Sequence, residues 1–421
     1  MGDERRTASG GWVSAGAASA AWTALWTLIV YPRTPGGSTP AGPIWGDADK
    51  YLAMVRGPIS DVAAPYSFRI GAPLLARLPP FSPEVGLYAV TLLSLLVAGA
   101  VWVHAGRRLG LSRRSLLLAA VAVGSTQAWT GYFHNPYLTD GAGLLGVTLA
   151  WAAWMSDGFV WSLLLLAVGP LFRETMAPMA LLWASDPRRT RVVASVLVAC
   201  APLIAVRLLP HQPRAESILA VMQGVLATKG PVRVLGDVLA SYHALWLMAL
   251  LGLRWGPAER RRVIGPPLLV TLLVATAENL MGVNTVRFFS MALPFVGLAV
   301  ADFFEAVAGE ERRLVRALAV VLAACSFVWF PTRPFGAWLS NAKVFQYLAC
   351  DLALGLTAVA AWRWAVRRTK PGTLRPELAS GGGGAIHSRS EAPVNARVVA
   401  GDHRRGPSAG WPPGPPPPPQ G

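Results

Sequence analysis

Long apolar runs alternate with short polar stretches from residue 11 to residue 366. Most of these runs approach the roughly 20 apolar residues that a membrane-spanning helix needs. They predict an all-α polytopic transmembrane bundle of about 12 helices, within a range of about 10 to 13. The apolar segments are 11–31, 84–105, 115–132, 141–155, 158–171, 174–185, 192–209, 236–253, 264–282, 286–307, 314–331 and 346–366.

Two neighbouring segments, 158–171 and 174–185, are much shorter than a full span. Irregular backbone at membrane depth is tolerated only where protein or a water-filled cavity covers it. We therefore predict that these segments are broken or re-entrant pieces that separate at Arg173 and Glu174.

Composition and charge support a membrane protein. Of the 421 residues, 53% are hydrophobic and only 14% are charged, whereas about 25% of the residues in soluble domains are charged. The net charge of +16 would also suit a nucleic-acid partner. The basic residues lie in short clusters between apolar segments, however, so we interpret them as a topology signal and expect no nucleic acid to bind.

The basic clusters follow even-numbered apolar segments, and Arg5 and Arg6 precede the first segment. Lys and Arg concentrate in cytoplasmic loops, so both termini are predicted to be cytoplasmic in a multi-pass protein of the plasma membrane. The clusters after the second, sixth, eighth, tenth and last segments include Arg107, Arg108, Arg113, Arg114, Arg188, Arg189, Arg191, Arg254, Arg260, Arg261, Arg262, Arg312, Arg313, Arg316, Arg363, Arg367, Arg368 and Lys370.

This topology divides the chain into a cytoplasmic N-terminus, 1–10, a transmembrane domain, 11–366, and a tail, 367–421. Within the transmembrane domain, residues 32–83 form a long first extracytoplasmic loop. The tail is rich in Gly, Pro and Arg and cannot bury a core. We predict that it is disordered and cytoplasmic.

Asp47 and Asp49 lie at the predicted start of a short helix in the long outer loop. Tyr51, Met54 and Val55 follow at helical spacing and form an apolar stripe, which predicts an interfacial helix lying on the membrane. Carboxylates at a helix start are typical of capping. The same two acids are also our candidates for catalysis, and the sequence leaves both interpretations open.

Several other polar residues collect on the predicted outer side. Arg69 stands among aromatics and prolines, where a guanidinium can clamp a lipid-linked phosphate or reach the headgroups. His134 and Asp140 occupy a short outer loop and suit a sugar hydroxyl, a phosphate or a metal, although Asp140 also suits a helix cap. The candidate substrate-binding residues are Arg69, His134, Asp140, Arg173, Glu174, Glu278 and Arg287.

Arg173 and Glu174 are adjacent, and neighbouring helical residues point about 100° apart. They are therefore predicted to find partners elsewhere in the bundle rather than in each other. Charged residues inside a membrane are functional candidates by default, with a structural ion pair as the other explanation.

Acids and arginines near one water–lipid boundary suit the transfer of a sugar from a lipid phosphate. Such a reaction needs a carboxylate that accepts a proton from the attacking hydroxyl and cations that neutralise the leaving phosphate. The sequence does not indicate whether a divalent cation takes part; Asp47 and Asp49 would be its ligands.

The layout of residues 11–366 resembles integral-membrane glycosyltransferases of the GT-C fold. This resemblance implies inverting transfer from a polyprenyl-phosphate sugar to a glycan, lipid or protein of the cell envelope, with Asp47 as base and Asp49 as its helper. The motifs that carry it are Asp47-Ala48-Asp49 with Tyr51, Phe68-Arg69 with Pro73, Asn135-Pro136 to Asp140, and Arg173-Glu174.

Two other functions are compatible with this sequence. A transporter or flippase for a lipid-linked or anionic solute would use the arginines as a binding path, usually on broken helices near the bilayer midplane. A membrane scaffold that presents the proline-rich tail would not need the outer acids.

Overall fold

The computed structural model describes residues 14–25, 47–64, 66–124, 126–134, 137–209, 235–279, 286–308 and 341–368, with short pieces at 220, 223–224, 227, 317–318, 320–321 and 325. The predicted tail from residue 369 onwards, most of the 314–331 segment and residues 32–46 of the predicted outer loop lie outside these residues.

The described part of the chain is helical and contains no strand. Residues 14–25 form α1, and the outer loop contributes α2, Asp47–Arg56, and α3, Gly71–Ala76, with 3₁₀ turns at Ile59–Asp61 and Tyr66–Phe68. The next helices are α4, Pro83–Arg108; α5, Arg113–Gly124; α6, Gln127–His134; α7, Asp140–Met155; and α8, Phe159–Phe172.

A 3₁₀ segment, Glu174–Ser185, follows α8. The remaining helices are α9, Arg189–Arg207; α10, Leu235–Tyr242; α11, Leu245–Trp255; α12, Ala258–Asn279; α13, Val286–Phe289; α14, Leu293–Ala308; and α15, Asn341–Arg368, with a 3₁₀ turn at Ser290–Ala292.

Three of the described helices are long and apolar enough to cross a membrane: α4, α9 and the stretch Ser290–Val307. The pair α10 and α11 adds a fourth if these helices, bent by 77° at their junction, count as one span. These helices agree with a membrane protein. The larger number of spans suggested by the apolar pattern stays a prediction.

The predicted break at Arg173 is present. The backbone of Arg173 is extended, with φ −159° and ψ 131°, between α8 and the 3₁₀ segment. Pro178 disfavours an α-helix after the break, because it has no N–H to donate to the Glu174 carbonyl. Arg173 is fully buried, so protein covers the irregular backbone.

Both ends of this broken element meet at Arg191, near the start of α9. Asp157, just before α8, and Asp186, just after the 3₁₀ segment, accept hydrogen bonds from Arg191 Nη1 at 2.8 and 3.0 Å. Residues 159–185 therefore form a hairpin, which we call the α8 hairpin, and its tip is at Arg173.

Helices α7 and α12 pack antiparallel beside the α8 hairpin. Asp140 at the start of α7 and Glu278 near the end of α12 both pair with Arg173, while Trp151 Nε1 donates to the Val263 carbonyl at 3.0 Å. We call the end of the bundle that contains these two carboxylates the site end.

At the opposite end, which we call the basic end, contacts join α4, α5, α12 and α14. Arg260 in the first turn of α12 donates to the Leu109 carbonyl at 2.7 Å and to Asp302 of α14 at 2.5 Å. The Glu305 carboxylate accepts a hydrogen bond from the Ser112 amide at 2.9 Å. The arginine clusters around the α4–α5, 3₁₀–α9 and α11–α12 connections therefore share one end of the bundle.

The core centres on α14, which is apolar on nearly all sides and packs against α5, α11 and α12. The close approach of α11 to α14 requires glycine at position 252, because a Cβ there would lie 2.0 Å from the Ala299 carbonyl oxygen. A helix that is hydrophobic all round belongs in the interior of a bundle.

Candidate functional site

The apolar stripe of α2 is covered by protein. Tyr51 and Met54 are 1% and 0% exposed, and they pack in a cluster that includes Ala72, Leu87 and Leu138. The helix and its stripe agree with the sequence prediction, but the stripe packs against protein and not against lipid, and the position of α2 at the membrane surface stays a prediction. Burial in this cluster fixes α2 against α3 and α4 at the site end.

Asp47, the first residue of α2, accepts a hydrogen bond from the Tyr66 hydroxyl at 2.8 Å. Tyr66 also packs edge-on against Tyr51, with ring centroids 6.0 Å apart. Burial, and then the negative charge of Asp47, raise the pKa of Tyr66 to about 12. The hydroxyl therefore keeps its proton at neutral pH and holds the carboxylate in place.

Asp49 lies in the same helical turn as Asp47 but is exposed. Within the described ranges it takes part in no ion pair, whereas Asp47 is held by Tyr66. The two acids predicted to act together thus have different surroundings.

Arg69 connects the outer loop to the tip of the α8 hairpin. Its Nε donates to Glu174 at 2.7 Å, and its Nη1 donates to the Tyr51 hydroxyl at 2.9 Å. Burial alone would lower the pKa of Arg69, but the charge of Glu174, with smaller contributions from Tyr51 and Glu278, raises it. Its remaining nitrogen, Nη2, donates no hydrogen bond to another described residue.

Arg173 is the most deeply buried charge of the site, with 0% of its side chain exposed. It forms ion pairs with Asp140 and, at 3.3 Å, with Glu278, and its guanidinium lies 6.0 Å from the centre of the Phe288 ring. Arg173 and Glu174 thus have different partners, as predicted from their adjacency.

The capping interpretation of Asp140 was wrong. Thr139 occupies the N-cap position of α7, and Asp140 is the first helical residue. Its buried carboxylate faces Arg173 instead, because an ion pair offsets the desolvation of both groups where water is excluded.

The site as a whole carries more acid than base. Arg69 and Arg173 are the cations, and three carboxylates, Asp140, Glu174 and Glu278, pair with them. We call these five residues the ion-pair network. These carboxylates therefore already neutralise the arginine charge that was expected to bind a lipid phosphate. Nη2 of Arg69 remains as a donor for a further anion.

Sequence reasoning missed Tyr66 and the hydroxyl of Tyr51. Tyr66 was noted only as an aromatic neighbour of Arg69, and Tyr51 as part of the apolar stripe and of the Asp47-Ala48-Asp49 motif. The Tyr66 hydroxyl donates to Asp47, the Tyr51 hydroxyl accepts from Arg69, and the two rings pack together. The available signal was the choice of Tyr rather than Phe beside charged residues, since a buried hydroxyl usually finds a polar partner.

Two predicted residues, His134 and Arg287, have side chains outside the described part of the structure. Among the side chains that are described, no group of three or more His, Cys, Asp or Glu residues could hold a metal ion. A role for Asp47 and Asp49 as metal ligands therefore stays a prediction.

Comparison with known proteins gives no match: no protein-family model, curated protein or solved structure is similar to this chain. The site must therefore be interpreted from its own chemistry.

Proposed function

We propose that this protein is a multi-pass membrane glycosyltransferase with a GT-C-like bundle of about 12 helices. It moves a sugar from a polyprenyl-phosphate donor to a glycan, lipid or protein acceptor of the cell envelope. The site end faces outwards and both termini are cytoplasmic, because the arginine clusters share the opposite end and basic residues concentrate in the cytoplasm.

One observation carries this proposal: the Asp47 carboxylate is held by Tyr66 in the loop that also positions Arg69. A base and a cation on one rigid loop at one end of an apolar bundle suit a donor whose tail stays in lipid. The buried α2 stripe gives the loop its rigidity, and catalytic groups require such preorganisation.

In the proposed reaction, the oxygen of an acceptor hydroxyl attacks the anomeric carbon of the donor sugar. The bond from that carbon to the phosphate oxygen breaks, and its electron pair leaves with the polyprenyl phosphate. Asp47 takes the hydroxyl proton as general base. Nη2 of Arg69 offsets the charge that develops on the phosphate, and attack from the opposite face inverts the anomeric configuration.

Arg173 acts as a positioning residue in this scheme. Its complete burial between Asp140 and Glu278 keeps it from the substrate, but it fixes the tip of the α8 hairpin. Glu174 at that tip in turn orients Arg69. Preorganised charges of this kind cost no rearrangement during the reaction.

The transport alternative is favoured by one observation, the buried charge on a broken hairpin. Transporters usually place such breaks near the bilayer midplane, whereas Arg173 lies level with the start of α7 and the end of α12. This position favours glycosyl transfer at the boundary.

The proposal is tested with membrane vesicles that contain the full-length protein and labelled polyprenyl-phosphate sugar donors. We expect label to enter envelope material with the wild type and to be lost with Asp47→Asn, while Asp49→Asn keeps part of the transfer. Unchanged transfer by both variants would remove the proposed base. Uptake of free donor without transfer would support the transport alternative instead.

A further inference from the structure

A groove of about 620 Å³ lies between α1, α4, α5 and α14, with residues of α6 and α7 at its far end. This volume is within the roughly 300–1,000 Å³ of small-molecule sites. The groove begins at Arg107 and Arg113, on either side of the α4–α5 connection, and extends as far as Trp129 and Leu144. Residues of α1 close one side of the groove, so it is not an open helix face.

The walls of the groove are mainly apolar, and the polar side chains among the lining residues are Ser14, Ser19, His104 and Thr148. Trp22, Trp102 and Leu116 are among the lining residues. Polar atoms along the walls are occupied within the protein, because Trp102 Nε1 donates to the Pro294 carbonyl at 2.9 Å and Thr148 Oγ1 donates to the Leu144 carbonyl at 2.7 Å. A sugar or a peptide would lose its hydrogen bonds here, whereas a hydrocarbon chain would lose none.

Positive charge is confined to the basic-end mouth of the groove. Arg107 and Arg113 are exposed there, and neither pairs with a carboxylate among the residues for which side chains are described. This contrasts with Arg69 and Arg173, which carboxylates neutralise. Exposed guanidinium groups that lack acidic partners suit a phosphate headgroup.

We infer that the groove binds an anionic phospholipid of the bilayer, with one acyl chain along the apolar walls and the phosphate between Arg107 and Arg113. The apolar length and the charged mouth match the two parts of such a lipid. This inference does not rest on the proposed glycosyl transfer, since the groove and the Asp47 loop use different residues.

The test measures lipid retention by the purified full-length protein in detergent, using native mass spectrometry with added phosphatidylglycerol or phosphatidylcholine. The double variant Arg107→Gln and Arg113→Gln should retain at least about tenfold less phosphatidylglycerol than the wild type. Phosphatidylcholine, which has no net charge, should be retained weakly by both proteins.

A matched control uses the neighbouring arginines that do not line the groove. The double variant Arg108→Gln and Arg114→Gln removes the same charge from the same connection and should retain phosphatidylglycerol like the wild type. Equal losses in the two double variants would show diffuse attraction to the basic end and would overturn the site.

A third variant tests the acyl chain separately from the phosphate. Ala120 lines the groove, and Ala120→Phe should fill it and reduce phosphatidylglycerol retention although both arginines remain. Soluble glycerophosphoglycerol should fail to compete with the lipid. Retention unchanged by Ala120→Phe, in a protein with the same unfolding temperature as the wild type, or competition by the free headgroup, would contradict the inference.

Discussion

At the scale of single residues, the arginines of this protein differ in what surrounds them. Arg173 is fully buried between two acids, whereas Arg56 is 58% exposed and pairs with Glu84. Exposed pairs contribute little to stability, but removing one partner of a buried pair leaves an uncompensated charge. Burial therefore decides how much each arginine contributes to stability.

We predict that Arg173→Met lowers the free energy of unfolding by about 3–5 kcal/mol. The substitution leaves Asp140 and Glu278 without their cation, so combining it with Asp140→Leu should recover part of the loss. Arg56→Met should cost at most about 1 kcal/mol. Thermal unfolding in detergent measures all three variants, and equal costs for Arg173→Met and Arg56→Met would contradict the buried network.

Tyr66 predicts a dependence of stability on pH. Its pKa of about 12 in the folded protein is above the value of about 10 in an unfolded chain. The stability that this hydroxyl contributes is therefore fully present below pH 10 and is lost as the pH rises through about 12.

Tyr66→Phe should lower the free energy of unfolding by about 1–3 kcal/mol, because a hydrogen bond to a charged acceptor is lost. The difference from the wild type should be the same at pH 7 and pH 9 and smaller at pH 11. Unfolding curves at these three pH values provide the measurement. A difference that already shrinks between pH 7 and pH 9 would exclude a raised tyrosine pKa.

The sequence shows which charged residues need a partner but does not show which residue that partner is. Arg173 and Glu174 were predicted to have separate partners because of their adjacency, and this is confirmed. The partners themselves come from residues about 30 to 105 positions away, such as Asp140 and Glu278, and no local pattern encodes a pairing across such a distance.

At the scale of elements, the short segments of the outer loop depend most on tertiary packing. The i, i+3, i+4 pattern identifies α2 and its apolar face, but it does not indicate whether lipid or protein covers that face. The structure places Met54 at 0% exposure against α3 and α4. Protein packing therefore holds in place the helix that begins at Asp47.

This packing predicts a large effect of Met54→Ala. Removal of a fully buried side chain should cost about 2–5 kcal/mol, because the protein fills the cavity only partly. Lys50→Ala, on the exposed face of the same helix, should change stability by about 0.5 kcal/mol or less. A small cost for Met54→Ala would indicate that fluid lipid replaces the lost atoms and that α2 does lie on the membrane.

The break in the α8 hairpin was predicted from the lengths of its two apolar segments. Two apolar pieces too short for full spans predicted a break, and the extended backbone at Arg173 confirms it. The 3₁₀ form of the second piece was not predicted, because runs beyond three or four residues are uncommon. At about 2.0 Å per residue, its 12 residues extend about 24 Å, close to the length of α8.

At the scale of the whole molecule, charge is divided between two ends. The arginine clusters around the α4–α5, 3₁₀–α9 and α11–α12 connections lie at the basic end, while the ion-pair network and Asp47 lie at the site end. The spacing of these clusters between apolar segments is a local property, so the sequence predicted their grouping. The groove behind Arg107 and Arg113 is lined by residues of six helices and had no signature in the sequence.

The most direct test of the account is the rate of sugar transfer by purified protein in liposomes. The assay follows a labelled polyprenyl-phosphate sugar and compares Asp47→Asn with Asp61→Asn, an exposed aspartate of the same loop. Loss of a general base typically lowers the rate by about 10²–10⁴-fold, so we expect a loss of that size for Asp47→Asn and wild-type activity for Asp61→Asn. Wild-type transfer by a folded Asp47→Asn protein would contradict the proposal that Asp47 is the general base of sugar transfer.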